Sequence, residues 1–156
     1  QPFQSQRQIG CLQQAGDPDQ KQDSIMKSHA DFPISLSQAC SPVRAIDLAL
    51  YAAASGDHNS LHLDEQVASE VGFEKPVVHG MLNMAFLARM LTSHFGVGTI
   101  AHLHTRFTGV ALRGQTLQFQ AKLEQVVNQV AHYQLSVSNE NGASVIEGSA
   151  HIKRQS

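Results

Sequence analysis

The feature that most constrains the fold is the segment Met81–Phe95, which is apolar on almost every side. Its apolar run is interrupted mainly by Asn83, Arg89 and the polar stretch Thr92–His94. A helix with apolar residues all round has to be buried on most sides by other elements. Gly96 follows directly and is typical of a helix end. The sequence therefore predicts one long central helix that the rest of the chain surrounds.

After this helix, apolar residues recur at every second position, which is the period of a half-buried β-strand. The alternation covers residues 101–108, 117–124, 133–141 and 146–152. Asn141-Gly142, at the end of the third of these segments, is a tight hairpin signal. Together with the helix, this pattern predicts the α+β class, with an antiparallel sheet around a central helix.

Upstream of the central helix, the pattern is shorter and less regular. We expect a first strand over Phe32–Leu36 and a helix over Val43–Ala54, which Ser41-Pro42 would open. A polar excursion follows over Ser55–Pro76, and a short helix is expected within it at Glu65–Val71.

Residues 1–28 differ from the rest, since they are rich in Gln and show no apolar period. Such a segment cannot bury enough surface to offset the entropy lost on ordering, so we expect a disordered leader. Residues 29–156 are then a single domain. The chain begins with Gln, and Met26 is a candidate natural start.

The composition excludes several classes of function. The formal net charge of −2 gives no electrostatic reason to expect a nucleic-acid binder or a membrane-surface protein. Two cysteines, Cys11 and Cys40, form no disulfide framework, which favours a reducing, cytoplasmic setting.

His102 and His104 share one face of a predicted strand and could be metal ligands. No third ligand with suitable spacing is evident, so we expect a solvated face there and no metal or cofactor.

The residues that carry chemistry lie in Ser55–Asp64 and Val77–Leu82. Gly56 and Asn59 suit a tight turn because both tolerate unusual backbone angles. Such a turn can direct Asp57 and His62 to a shared water, as addition of water to an activated double bond requires.

Gly80 opens the central helix downstream of this turn. Its N–H lies at the positive end of the helix dipole without an intrahelical partner. A glycine there lets a thioester carbonyl approach closely, so the N–H could stabilise an enolate-like oxygen.

These two runs resemble the motif of the MaoC-like, (R)-specific enoyl-CoA hydratase (hydratase 2) family. Its members typically show Ser-Gly-Asp-x-Asn-Pro-Leu-His-x-Asp and then His-Gly-Met, and the similarity covers roughly Phe32–Lys153. The resemblance implies the hot-dog fold, in which an antiparallel sheet wraps around a long helix. It also implies a homodimer or higher homo-oligomer without a cofactor.

By the same resemblance, Asp57 and His62 are the catalytic pair and Gly80 is the oxyanion donor. Asn59 and His79 join Gly80 on the substrate-binding side, Asn59 by shaping the turn and His79 by holding the loop against the helix start. The implied reaction is reversible hydration of trans-2-enoyl thioesters of coenzyme A or acyl carrier protein to (R)-3-hydroxyacyl thioesters, a step of fatty acid metabolism.

The sequence departs from the family pattern in three places. Ser60 replaces the usual proline of the turn, and Ala88 stands where some hydratases carry a serine on the central helix. Val110, Arg113 and Gln115 replace residues that are commonly proline, proline and aspartate. These changes concern turns and pocket lining more than the reacting groups.

Two other functions stay open at this point. One is a hot-dog thioesterase, which commonly places a carboxylate on or beside the central helix; here no Asp or Glu occurs between Glu74 and Glu124. The other is a non-catalytic hot-dog subunit of a heteromeric dehydratase, which could dispense with Asp57 and His62.

Overall fold

The computed structural model describes residues 32–153 of the chain. In this part of the chain, an antiparallel sheet of five strands, in the order β1-β3-β4-β5-β2, lies against a long helix. The elements are β1 (Ser35–Cys40), α1 (Ala45–Ser55), a 3₁₀ turn (Ser60–His62), α2 (Glu65–Glu70), α3 (Gly80–Phe95), β2 (Ile100–Phe107), β3 (Leu117–Val127), β4 (Val130–Asn139) and β5 (Ser144–Lys153). The predicted α+β arrangement is confirmed.

The core lies between α3 and the inner face of the sheet. Leu82, Leu87 and Leu91 of α3 are buried against strand residues of period two, among them Phe119, Ala121, Leu135, Val137 and Ile146. Burying one such leucine or phenylalanine side chain stabilises the fold by about 1.5–3 kcal/mol. The helix is not covered all round, however, because Met81 is 53% exposed.

The first helix begins later than Ser41-Pro42 predicts. Val43 lies outside the helix, where its N–H donates to the Gln115 carbonyl and its own carbonyl accepts from Gly114 N–H, at 3.3 and 2.8 Å. The helix starts only after Arg44, whose backbone N–H donates to the Asp47 carboxylate at 2.9 Å. The predicted helix is present, but it starts two residues later because Val43 bonds to a distant loop.

The first strand is also displaced from its predicted position, Phe32–Leu36. β1 covers Ser35–Cys40 and pairs with β3 from Ser35 opposite Lys122 to Cys40 opposite Leu117.

The predicted leader and the candidate start at Met26 lie outside the described residues. Within residues 32–153, none of the helices has the length and hydropathy needed to cross a membrane.

Candidate active site

The site begins where α1 ends. Gly56 has a φ of 77°, in the left-handed region that side chains with a Cβ disfavour, and its N–H donates to Ala52 O at 2.9 Å. Ser55 Oγ donates to Tyr51 O and accepts from Asp57 N, at 2.7 and 3.2 Å. These contacts fix the direction in which Asp57 leaves the helix.

The turn after Asp57 is held by side-chain oxygens. Asn59 N donates to Asp57 Oδ1 at 3.3 Å, and Asn59 Oδ1 accepts from Leu61 N at 3.0 Å. The backbone of Asn59, with φ −57° and ψ 123°, is ordinary for any residue. Asn59 therefore shapes the turn through its side chain and not, as the sequence suggested, through an unusual backbone angle.

His62 and Asp57 face each other at the end of this turn. His62 Nδ1 lies 2.7 Å from Val77 O, and because a carbonyl can only accept, Nδ1 carries a proton. His62 Nε2 lies 3.9 Å from Asp57 Oδ2. That separation is too long for a direct hydrogen bond, but one water oxygen at about 2.8 Å from each atom can bridge it.

His79 lies beneath this pair and is 1% exposed. Its ring stacks on His62 with centroids 3.9 Å apart and contacts Tyr51 at 4.9 Å. Its Nε2 donates to Asp57 O at 3.2 Å. One buried imidazole thus contacts both sides of the Asp57–His62 pair and ties the loop to the start of α3.

Gly80 is the first residue of α3, next to His79. The first intrahelical donors are Leu82 N and Asn83 N, both to His79 O, so the Gly80 N–H lies at the positive helix end without an intrahelical partner. A Cβ at this position would lie 3.1 Å from Cε1 of Phe107. The structure therefore adds a reason for glycine, which is the packing of the Phe107 ring over the first turn.

The family model of the MaoC like domain matches residues 26–145. The chain belongs to the MaoC-like family. Proteins similar to this chain include the (R)-specific enoyl-CoA hydratase of Aeromonas caviae and the 3-hydroxyacyl-thioester dehydratase Y of Mycobacterium tuberculosis.

Three curated relatives indicate the range of similar MaoC-like proteins. The probable enoyl-CoA hydratase 2 of Dictyostelium discoideum is 33% identical over 104 residues, which is 65% of this chain and 34% of that protein. The (R)-specific enoyl-CoA hydratase of Aeromonas caviae is 42% identical over 57 residues, 36% of this chain and 42% of that protein. The peroxisomal multifunctional enzyme type 2 of Mus musculus is 40% identical over 67 residues, 41% of this chain and 9% of that protein. The matched regions thus span less than half the length of these relatives.

Solved structures of MaoC-like hydratases share the fold. The (R)-hydratase of Aeromonas caviae superposes with a TM-score of 0.72 and 25% identity, covering 78% of this chain and 94% of that one. An R-hydratase of Pseudomonas aeruginosa gives a TM-score of 0.73 and 27% identity, covering 81% and 86%. The prediction of a hot-dog fold is confirmed.

The three groups of this MaoC-like site could also be considered as metal ligands. One ligand atom each from Asp57, His62 and His79 lies within 4.8 Å of the others. The two imidazoles are stacked at 27°, and each has one nitrogen bonded to a backbone carbonyl. A metal has to lie near the plane of each imidazole that binds it, so fixed stacked rings suit a hydrogen-bonded acid–base site better than a metal centre.

Asn83 belongs to this region but was not singled out from the sequence. It is 1% exposed on the first turns of α3, four residues after His79. Among the described residues, Asn83 Oδ1 and His79 Nδ1 lack hydrogen-bond partners. The sequence did carry a signal for this residue, because the amide side chain of Asn83 interrupts an otherwise apolar stretch of the central helix.

Ser60, the departure from the family motif, occupies the first position of the 3₁₀ turn. Proline is favoured at such a position, and the preceding residue already has the extended backbone that proline requires. We expect Ser60→Pro to raise the free energy of unfolding by about 0.4–1 kcal/mol, because the unfolded chain loses freedom. Urea unfolding measures this change; a loss of stability would show that the turn differs from the one described.

His79 should also make stability depend on pH. Burial, followed by the nearby His62, lowers the pKa of His79 below its ordinary value, although the Asp57 carbonyl opposes this. Below about pH 6.5 the unfolded chain then binds a proton that the folded chain does not. The free energy of unfolding therefore rises as the pH is raised towards about 6.5. The contribution of His79 to stability is complete above that pH and decreases when the solution is acidified.

Urea unfolding between pH 5 and pH 8 should therefore show a weaker pH dependence for His79→Phe than for the natural chain. Phenylalanine keeps an aromatic ring against Tyr51 and His62 but does not titrate. Equal slopes for both proteins would contradict the assignment of this titration to His79.

Proposed function

We propose that this MaoC-like protein is a hydro-lyase that reversibly hydrates trans-2-enoyl thioesters to (R)-3-hydroxyacyl thioesters. The observation that carries the proposal is the separation of 3.9 Å between His62 Nε2 and Asp57 Oδ2, with His62 Nδ1 committed to Val77 O. Both facing atoms accept hydrogen bonds when the imidazole is neutral, so they can hold the two protons of one water.

The reaction follows from this placement. The bridging water gives one proton to the Asp57–His62 pair as its oxygen bonds to the β-carbon of the enoyl group. The electrons of the double bond move towards the thioester carbonyl, and the Gly80 N–H donates to the oxygen as it becomes enolate-like. The pair then returns one proton to the α-carbon. The net change is addition of one water, and the pair ends in its starting protonation state.

The exposure of the two groups fits a substrate that arrives from one side. The Asp57 side chain is 50% exposed and that of His62 is 13% exposed. The enoyl group can therefore approach over Asp57, while the stacked His79 supports His62 from below.

A thioesterase function has less support than a hydratase function in the described residues. Neither α3 nor β2 carries an Asp or Glu, so the helix offers no carboxylate to direct water at a thioester carbonyl. Asp57 is placed against His62 and towards the N-terminal end of α3. The (R) configuration of the product is supported by likeness to the Aeromonas caviae hydratase.

We also propose that the protein works as a homodimer or larger homo-oligomer. Met81 and Phe107 are 53% and 49% exposed beside Gly80, and β2 is an edge strand of the sheet. Apolar surface next to an unpaired strand edge is suited to cover by a second copy. Light scattering after gel filtration measures the mass in solution, and a monomer at assay concentration would contradict this part.

The function is tested with a short trans-2-enoyl-CoA. Loss of the conjugated enoyl absorbance without release of free thiol is the expected result, and chiral analysis of the product tests the (R) assignment. Release of thiol would identify a thioesterase instead. No change in either signal, repeated with a longer acyl chain and with the acyl carrier protein thioester, would contradict the proposal.

A further inference from the structure

Two buried polar atoms beside the catalytic pair have no hydrogen-bond partner among the described residues. They are His79 Nδ1 and Asn83 Oδ1, and each of the two residues is 1% exposed. Buried polar groups in folded proteins are almost always hydrogen-bonded, so each exception calls for an explanation. Neither atom takes part in the reaction proposed above, and the explanation therefore has to be sought separately.

The two residues are neighbours at the start of α3. His79 is the N-cap of the helix, and Asn83 N donates to His79 O at 3.2 Å. Residues four positions apart lie on the same face of a helix, with Cβ atoms about 5–6 Å apart. Helical side chains lean towards the N-terminus, so the amide of Asn83 extends towards the His79 ring. Since the two unpartnered atoms do not bond each other directly, a third group has to satisfy both.

The position of the proton on the His79 ring decides what this third group can be. Nε2 lies 3.2 Å from Asp57 O, and because a carbonyl can only accept, Nε2 carries the proton. Burial lowers the pKa of His79, which favours the neutral ring, and Nδ1 then keeps a lone pair. Asn83 Oδ1 is an acceptor too. Two acceptors can share one partner only if that partner brings two protons, as a water molecule does.

We propose that Asn83 is a positioning residue of the hydratase site and holds one buried water between its Oδ1 and His79 Nδ1. The inference rests on the proposed function and extends it to a residue behind the reacting groups. Buried waters typically make about three hydrogen bonds to buried polar groups that would otherwise be unsatisfied. This water donates one proton to each of the two atoms and keeps the proton of His79 on Nε2. It is distinct from the water that reacts between Asp57 and His62.

The position of this proton matters because His79 supports both members of the catalytic pair. Its Nε2–H anchors the main chain of Asp57, and its ring stacks on His62 with centroids 3.9 Å apart. With the proton on Nδ1 instead, a lone pair of Nε2 would face the Asp57 carbonyl and repel it. With protons on both nitrogens, the ring would place a positive charge against His62 and make it a weaker proton acceptor. Only the neutral ring with its proton on Nε2 supports the pair.

The test observes the His79 ring directly, by ¹⁵N NMR of the imidazole nitrogens in the full chain. The signals of His79 are those that are missing from the spectrum of His79→Phe. In the natural chain at neutral pH, we expect a proton on Nε2 and a hydrogen-bonded lone pair on Nδ1. Asn83→Leu removes the amide at similar volume and should shift the Nδ1 signal to that of an unbonded nitrogen. Asn83→Asp supplies a charged acceptor and should move the titration of His79 to higher pH, while Asp57, His62 and Tyr51 around the ring stay the same.

Kinetic measurements then separate positioning from stability. Asn83→Leu should lower kcat by roughly 10–10²-fold with little change in KM, because a small displacement of catalytic groups is enough for such a loss. Asn83→Ser, whose hydroxyl can still bind the water, should recover part of kcat. Thr99→Val is the matched control, since Thr99 is 2% exposed beyond the other end of α3 and its Oγ1 donates to Gly96 O at 2.8 Å. This variant also loses a buried polar group, so it should be less stable but keep its kcat.

Changed His79 signals in Asn83→Leu and Asn83→Asp, together with natural signals in Thr99→Val, support the proposal. Identical His79 signals in the natural chain and both Asn83 variants would overturn it, and so would a proton on Nδ1 in the natural chain. If Asn83→Leu does not fold, the titration of His79 in Asn83→Asp decides alone. The spectra do not depend on turnover, so a chain that fails to hydrate enoyl thioesters would contradict the proposed function without deciding the link between Asn83 and His79.

Discussion

Asp57→Asn is expected to lower kcat/KM for hydration of a trans-2-enoyl thioester by roughly 10²–10⁴-fold, the usual contribution of one acid–base group. Asparagine has the same shape and can still accept the hydrogen bond from Asn59 N. It cannot take up a proton from the bridging water. The fold should be unaffected, because half of the Asp57 side chain is exposed and its backbone contacts remain.

The matched control is Asp64→Asn, seven residues later in the same excursion. Asp64 Oδ1 accepts from Gln66 N at 2.8 Å and caps α2, and asparagine caps a helix equally well. Both variants should melt near the natural protein, whereas only Asp57→Asn should lose activity. A folded Asp57→Asn protein with unchanged kcat/KM would remove Asp57 from the mechanism.

The elements with long, regular patterns were predictable from the sequence. Helix α3 begins at Gly80, one residue before the predicted Met81, and all four later strands match the predicted segments to within three residues at each end. The turn between β3 and β4 was not predictable in the same way. It consists of Asn128 and Gln129, both with positive φ, and Gln129 gives no local turn signal.

Early boundaries depended on contacts between distant parts of the chain. Val43 is apolar and follows Pro42, so local rules predict a helix there. Backbone bonds to Gly114 and Gln115 hold it outside the helix instead. Such tertiary contacts override helix propensity, whose effect is weak for a few residues.

The sequence predicted the residues of the site more successfully than the orientation of their side chains. The spacing of Asp57 and His62 brought both groups to one turn. It could not show that Val77 O would accept from His62 Nδ1, because Val77 lies fifteen residues away and reaches the turn by folding. The stacking of His79 under His62 has the same origin.

His62→Asn is expected to reduce kcat/KM by roughly 10²–10⁴-fold as well, with the fold retained. The amide nitrogen of asparagine lies near the position of Nδ1, so it can donate to Val77 O as His62 does at 2.7 Å. The atom that is lost is Nε2, which faces Asp57. His58→Asn is the control, since His58 Nδ1 also contacts a backbone carbonyl, Gly56 O at 3.0 Å, in the same loop. Its activity should stay close to that of the natural protein.

The double variant Asp57→Asn/His62→Asn distinguishes a shared water from two separate roles. If both groups hold one water, removing the second group after the first should cost little more, because groups that act as a unit are strongly non-additive. The double variant should then be about as slow as the slower single variant. Losses that multiply would mean that Asp57 and His62 act on different atoms, and the separation of 3.9 Å would then have to be explained without a bridging water.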